Sequence, residues 1–257
     1  TDERKAGAKM YIEFLLAKAQ QEKALAYGFR PADPAVAVTS PIAAAFGADP
    51  AEPKTTLEVP SAEVMDAVLK TWRINKKAAN VVLVLDTSGS MTAENKMAHA
   101  KAGAEQLLER LDDADLLSLL PFNDKSRWAG QGMAMSSSRE ASLRTVQGLI
   151  AAGGTRLYDS IDVAVKYLND NPTPGKIAAV VVLTDGQDTD SALKLEPLIE
   201  RIKSDGERNS VRVFTIGYGS GADEKILKRI ADSTQGKFYK GTPQNIREVF
   251  RDIATFF

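Results

Sequence analysis

Asn80-Val-Val-Leu-Val-Leu-Asp86-Thr-Ser-Gly-Ser-Met91 decides how this chain folds. Val81 to Leu85 is a continuous apolar run, too short for a helix of its own. It reads as a parallel strand covered on both faces. A polar, glycine-bearing turn follows. Then Met97, Ala100, Ala104, Leu107, Leu108 and Leu111 recur at helical spacing.

Downstream, strand and helix patterns keep alternating. Leu116 to Leu120 reads as a second strand and Arg127 to Gly130 as a short edge strand. Leu157, Ile161, Ala164, Val165 and Leu168 mark a helix, and Ile177 to Leu183 is another long apolar run. Pro197 is placed to open a helix carrying Leu198, Ile199 and Ile202, with a stop near Gly206. Val211 to Ile216 is a strand, Ile226, Leu227 and Ile230 a helix, and Phe238-Tyr239 a last short strand. Thr242-Pro243 should cap a final helix with Ile246, Val249, Phe250, Ile253 and Phe257 on its apolar face. This order predicts an α/β fold, a doubly wound and mostly parallel sheet with helices on both faces.

Upstream of Asn80 the pattern differs. One helix over 6–26 carries a broad apolar face of Tyr11, Ile12, Phe14, Leu15, Leu16, Ala19 and Leu25, and Gly28 can stop it. Such a face cannot bury itself. It should pack on residues between Phe29 and Trp72 or on the following domain. Pro31, Pro34, Pro41, Pro50, Pro53 and Pro60 then impose extended or turning chain. Ser61 can cap a second helix with Val64, Val68, Leu69 and Trp72. We expect a small helical and irregular segment over 1–77 and the α/β domain over 78–257.

Composition removes several function classes. The 257 residues hold 33 Lys plus Arg against 34 Asp plus Glu, a net charge of −1, so no broad positive field serves nucleic acid. Cysteine is absent, which excludes disulfides, thiolate catalysis and Cys-bound metals in this chain. The single histidine, His99, makes a Ser-His-Asp triad hard to assemble. It lies two residues from Met97 and reads as an exposed helix residue without a role. No run of 18 apolar residues occurs, so no transmembrane helix is expected, and charged Thr1-Asp-Glu-Arg-Lys5 does not lead into a signal peptide.

In doubly wound folds ligands bind at the carboxyl ends of strands. After the first strand the chain places Asp86-Thr-Ser88-Gly-Ser90, after the third long apolar run Thr184-Asp185-Gly186, and between them, before a helix, Gly153-Gly154-Thr155. Ser88, Ser90 and Thr155 can offer hydroxyl oxygens, and Asp86 and Asp185 can balance a divalent charge directly or through water. Magnesium takes about six oxygens at roughly 2.1 Å and keeps some waters. With no nitrogen or sulfur ligand nearby, zinc and copper are disfavoured.

At these residues the chain resembles the von Willebrand factor type A (vWA) domain family. Asp86-x-Ser88-x-Ser90, Thr155 and Asp185 look like its complete metal-ion-dependent adhesion site, and the resemblance spans 80–257. It implies a six-stranded Rossmann-like sheet with one antiparallel edge strand. It also implies Mg2+ or Mn2+, a protein partner whose Glu or Asp completes the coordination, and binding in place of catalysis. An extracytoplasmic, adhesive role follows from the same resemblance.

Over 6–33, Tyr11-Ile-Glu-Phe-Leu-Leu16, Gln20 or Gln21, and Tyr27-Gly-Phe-Arg-Pro31 resemble the closing helix of a bacterial periplasmic solute-binding protein. This implies lobes upstream that would close on a small-molecule solute. The chain would then be the C-terminal portion of a longer exported bacterial protein, and one reading makes it a solute sensor with the vWA domain as reporter.

Rival readings fit less well. Asp86-Thr-Ser-Gly-Ser90 alone could be a strand-to-helix turn with Ser90 or Thr92 as cap. Gly217-x-Gly219-x-x-Ala222 matches a dinucleotide fingerprint, but no acid closes the next strand, which ends Phe238-Tyr-Lys240. A haloacid-dehalogenase-like phosphatase would use Asp86 as nucleophile and Asp185-Gly-Gln-Asp188 as a magnesium-binding acidic motif. Against it, Ser88 stands where a second Asp is required. Asp188 and Asp190 read as solvated loop charge.

Overall fold

A computed structural model describes residues 2–51, 60–75, 77–204 and 211–256. The chain divides into two compact units, Thr1–Lys70 and Thr71–Phe257.

In the first unit the expected single helix is two, α1 (Asp2–Leu16) and α2 (Lys18–Ala26). Ala17 breaks them with an extended ψ of 136°. Gln21 stabilises the break: its amide donates to the Leu15 carbonyl at 2.6 Å and its Oε1 accepts the Ala32 N–H at 2.6 Å. Gly28 ends α2 at φ +85°, and Arg30 donates to the Asp49 and Pro50 carbonyls. The Gln21…Gly28-x-Arg30 residues thus organise the proline-rich stretch. Within this unit Leu25, Val36 and Ile42 are buried, whereas Tyr11, Ile12, Phe14, Leu15 and Leu16 are exposed. Ser61 Oγ accepts the Val64 N–H at the start of α3 (Ala62–Asn75). Pro53 and the side chain of Trp72 lie outside the described residues.

The second unit is built on β1 (Ala79–Asp86), β2 (Leu116–Phe122), β3 (Gly130–Ala134), β4 (Ile177–Thr184), β5 (Arg212–Tyr218) and β6 (Phe238–Gly241). They form a six-stranded sheet of order β3-β2-β1-β4-β5-β6, parallel except for β3. Strand periodicity sends Val81, Leu83 and Leu85 to one core and Val82 and Val84 to the other. The first core is closed by α4 (Lys96–Arg110), α5 (Met135–Gln147) and α9 (Ile246–Ala254). The second lies under α6 (Leu157–Asp170), α7 (Leu195–Ile202) and α8 (Glu224–Ser233). This is the doubly wound sheet the alternation predicts. Among the described residues, no helix is long and apolar enough to cross a membrane.

Three boundaries differ from expectation, and α5 has no counterpart in it. The edge strand begins at Gly130, because residues before it make irregular bonds to β2, with a register shift between Leu117 and Leu119. Pro197 lies inside α7, which starts at Leu195, and Gly206 is outside the described residues. The final helix starts at Ile246; Thr242 and Asn245 first close a turn by exchanging side-chain and backbone bonds. Phe257 is not among the described residues.

Candidate functional site

After β2 and β3 on one side of β1, the chain crosses to form β4 on the other. This switch point opens a crevice at the carboxyl ends of β1 and β4. Parallel register sets Leu85 beside Leu183, so Asp86 comes level with Thr184 and Asp185.

Asp86 is buried, 1% exposed. One carboxylate oxygen accepts the Ser88 N–H at 2.8 Å and the other the Thr184 hydroxyl at 2.5 Å. Burial pushes its carboxyl above the ordinary range, bonds from Ser88 and Thr184 pull it down, and Asp185 pushes it up; the net shift is upward. A cation beside it would favour the ionised form.

Ser88 Oγ lies 3.0 Å from Ser90 Oγ, and Ser90 Oγ donates to Asp185 Oδ1 at 2.7 Å. Asp185 Oδ2 takes the Lys96 ammonium at 2.7 Å. Thr155 reaches the crevice on the 153–155 loop, which the Gly89 N–H joins by bonding the Gly153 carbonyl at 2.9 Å. A Cβ on Gly186 would sit 3.9 Å from both Ser90 Oγ and Thr155 Oγ1, so the two hydroxyls flank one small cradle. A Cβ on Gly154 would lie 1.8 Å from Asp190 Oδ2, so the Asp190 carboxylate packs directly against this glycine.

All five expected residues therefore gather at one sheet edge. Other expectations need correction. Asp188 is a helix cap, its Oδ1 accepting the Leu157 and Tyr158 N–H groups that open α6. Asp190 accepts the Thr155 N–H at 2.9 Å, and a bond from Thr189 with that N–H holds its carboxyl below the ordinary range. His99 is half-buried, with Nδ1 2.8 Å from the Tyr218 hydroxyl. Thr184 and Lys96 were missed. Thr184 had a signal in its position before Asp185; Lys96 had only the oddity of a cation opening a helix, against the dipole.

Fold and crevice together define a class: a doubly wound domain with hydroxyls and carboxylates at its switch point and no His-rich or Cys-rich centre. Among the described residues no group of three His, Cys, Asp or Glu that could hold a metal ion occurs. The family model "von Willebrand factor type A domain" matches residues 80–251, and the chain belongs to this family. Domains of this family are generally metal-dependent protein-interaction modules. The chain is similar to inter-alpha-trypsin inhibitor heavy chain H2 of Sus scrofa, 24% identical over 188 residues, covering 68% of this chain and 20% of that protein. It thus spans about a fifth of that relative's length. Its fold is similar to a von Willebrand factor type A structure from Catenulispora acidiphila, with a TM-score of 0.60, 26% identity, and coverage of 69% of this chain and 42% of that one. A mussel byssus protein, proximal thread matrix protein 1 with a zinc-occupied MIDAS motif, shares the fold at a TM-score of 0.59 and 20% identity, over 70% and 46% of the two chains.

Proposed function

We propose that Asp86, Ser88, Ser90, Thr155 and Asp185 hold Mg2+ or Mn2+, and that a protein partner's Glu or Asp completes the coordination. The observation that carries this is the convergence of two buried carboxylates and three hydroxyls beside the open Gly186 cradle. When bound, the ion supplies a Lewis-acidic attachment point for the partner's carboxylate. The chain's own residues do the rest. Asp86 and Asp185 provide the negative charge, and Ser88, Ser90 and Thr155 provide neutral oxygens. Thr184 and the Ser88 N–H orient Asp86. No residue here is placed to act as nucleophile with an activating base, so the proposed role is binding and not catalysis.

An oxygen-only donor set suits hard magnesium or manganese. The mussel protein's zinc makes zinc the informative competitor. Extracytoplasmic placement in a bacterium, and a 1–77 segment closing a solute-binding-type domain before a vWA domain over 78–257, belong to the same proposal. They are supported by the resemblance of Tyr11–Pro31.

Calorimetric titration of the chain with Mn2+, Mg2+ and Zn2+ tests the assignment, with Asp86→Ala as control. Saturable binding of the hard ions that Asp86→Ala abolishes is expected. Equal Mn2+ affinity in the two proteins would falsify it.

A further inference from the structure

Lys96 is the cation that the metal reading leaves without a role. Its side chain is 15% exposed and its Nζ sits 2.7 Å from Oδ2 of fully buried Asp185. Three observations show that the position is built. Glu94 and Asn95, immediately before it, both take left-handed backbone, with φ of 52° and 56°, although neither is glycine. Lys96 opens α4, where the helix dipole disfavours a positive charge. Its stem runs past Gly219 at the end of β5, where a Cβ would lie 3.7 Å from Lys96 Cε. Unfavourable backbone and an unfavourable helix end thus converge on delivering one ammonium group to Asp185.

We propose that Lys96 is a resident counter-charge that weakens the site's hold on its divalent ion and strengthens the loaded site's hold on a partner's carboxylate. This rests on the metal reading above. Among these groups, Asp86 and Asp185 bring two negative charges against one positive charge on Lys96. A divalent ion then leaves a single net positive charge, which one incoming carboxylate neutralises. With Lys96 uncharged, the loaded group is neutral and the same carboxylate makes it negative. The ammonium repels the ion and attracts the ligand, so its removal should move the two affinities in opposite directions. A lysine that only braces α4 would move neither in that pattern.

The test uses the whole chain and Lys96→Met, which keeps an unbranched stem beside Gly219 and removes the charge. Lys96→Arg is the charge-retaining control, and Lys96→Gln carries the test if the Met variant does not fold. Mn2+ binding is read by electron paramagnetic resonance. Acetate, standing in for a partner carboxylate, is then titrated into Mn2+-loaded protein while water-proton relaxation reports displacement of coordinated water. Lys96→Met should bind Mn2+ roughly three- to tenfold more tightly than the native chain and need more acetate for the same displacement, with Lys96→Arg near native. Unchanged or weaker Mn2+ affinity in Lys96→Met overturns the proposal, as does an unchanged or stronger acetate response. If the native chain binds no Mn2+, the metal reading itself fails. Native binding that Asp86→Ala abolishes and Lys96→Met leaves unaltered defeats only the role of Lys96.

Discussion

Asp159, Asp188 and Asp190 carry the same side chain and differ by what donates to them. Asp159 accepts the Ala192 N–H at 3.0 Å and the Leu193 N–H at 2.9 Å and pairs with Arg156, so it ties α6 to the loop after β4. Burial pushes its carboxyl up, but those backbone bonds and Arg156 outweigh burial and hold it below 3.8. A depressed native pKa means that the unfolded chain binds more protons, so stability rises with pH. This contribution is fully present above 3.8 and is lost as pH falls through the lower native value. Asp159→Asn should therefore flatten the acid limb below 3.8, read as urea midpoints against pH. An acid limb identical to the native one would show that these bonds do not couple to folding. The five proposed ligands were legible because Asp86-x-Ser88-x-Ser90, Thr155 and Asp185 stand in the order of the family resemblance, two of the three clusters directly after strongly patterned strands. Asp188, Asp190 and Lys96 were not, since each acts on a residue about 30 or more positions away that only the fold brings near.

Among elements, strongly patterned ones announced themselves and weakly patterned ones did not. β1 and β4 are unbroken apolar runs, and α9 carries Ile246, Val249, Phe250 and Ile253 on one face, all buried. β3 reads Gly-Gln-Gly-Met-Ala, poor in β-formers, and its position depends on β2 accepting an irregular edge. α5 was missed altogether. It starts Met135-Ser-Ser-Ser, a serine cluster that reads as loop, yet Ser138 bonds back to the Ala134 carbonyl and Val146 is buried. The α4–α9 contact is the most specific of these packings. A Cβ on Gly103 would lie 2.4 Å from the Phe250 ring, so that ring fills a notch only glycine leaves. Phe250→Ala should cost about 3–5 kcal/mol, because it removes a fully buried aromatic and opens a cavity. Denaturant unfolding checks this; a loss under 1 kcal/mol or so would mean that α9 repacks onto α4 without its anchor.

For the molecule as a whole, the question is where the α/β unit becomes self-sufficient. Both of its apolar cores are made of residues from Ala79 onward, on the two faces of one sheet. The site residues Asp86 to Asp185 lie within the same span and take their hydrogen bonds from it. At the edge of the unit, the Ala79 N–H bonds buried Asp115 at 2.7 Å, so β1 is held at its start by a residue on the loop before β2. A fragment of residues 77–257 keeps all of these groups. It should melt cooperatively and bind Mn2+ with the affinity of the whole chain. Circular dichroism melts and calorimetric titration on that fragment decide the point. Loss of a cooperative transition would move the boundary upstream, toward the division at Lys70 inside α3. A folded fragment with altered Mn2+ affinity would be a different result. It would assign the difference to residues 1–76, since nothing in the β1–β4 switch point would have been removed.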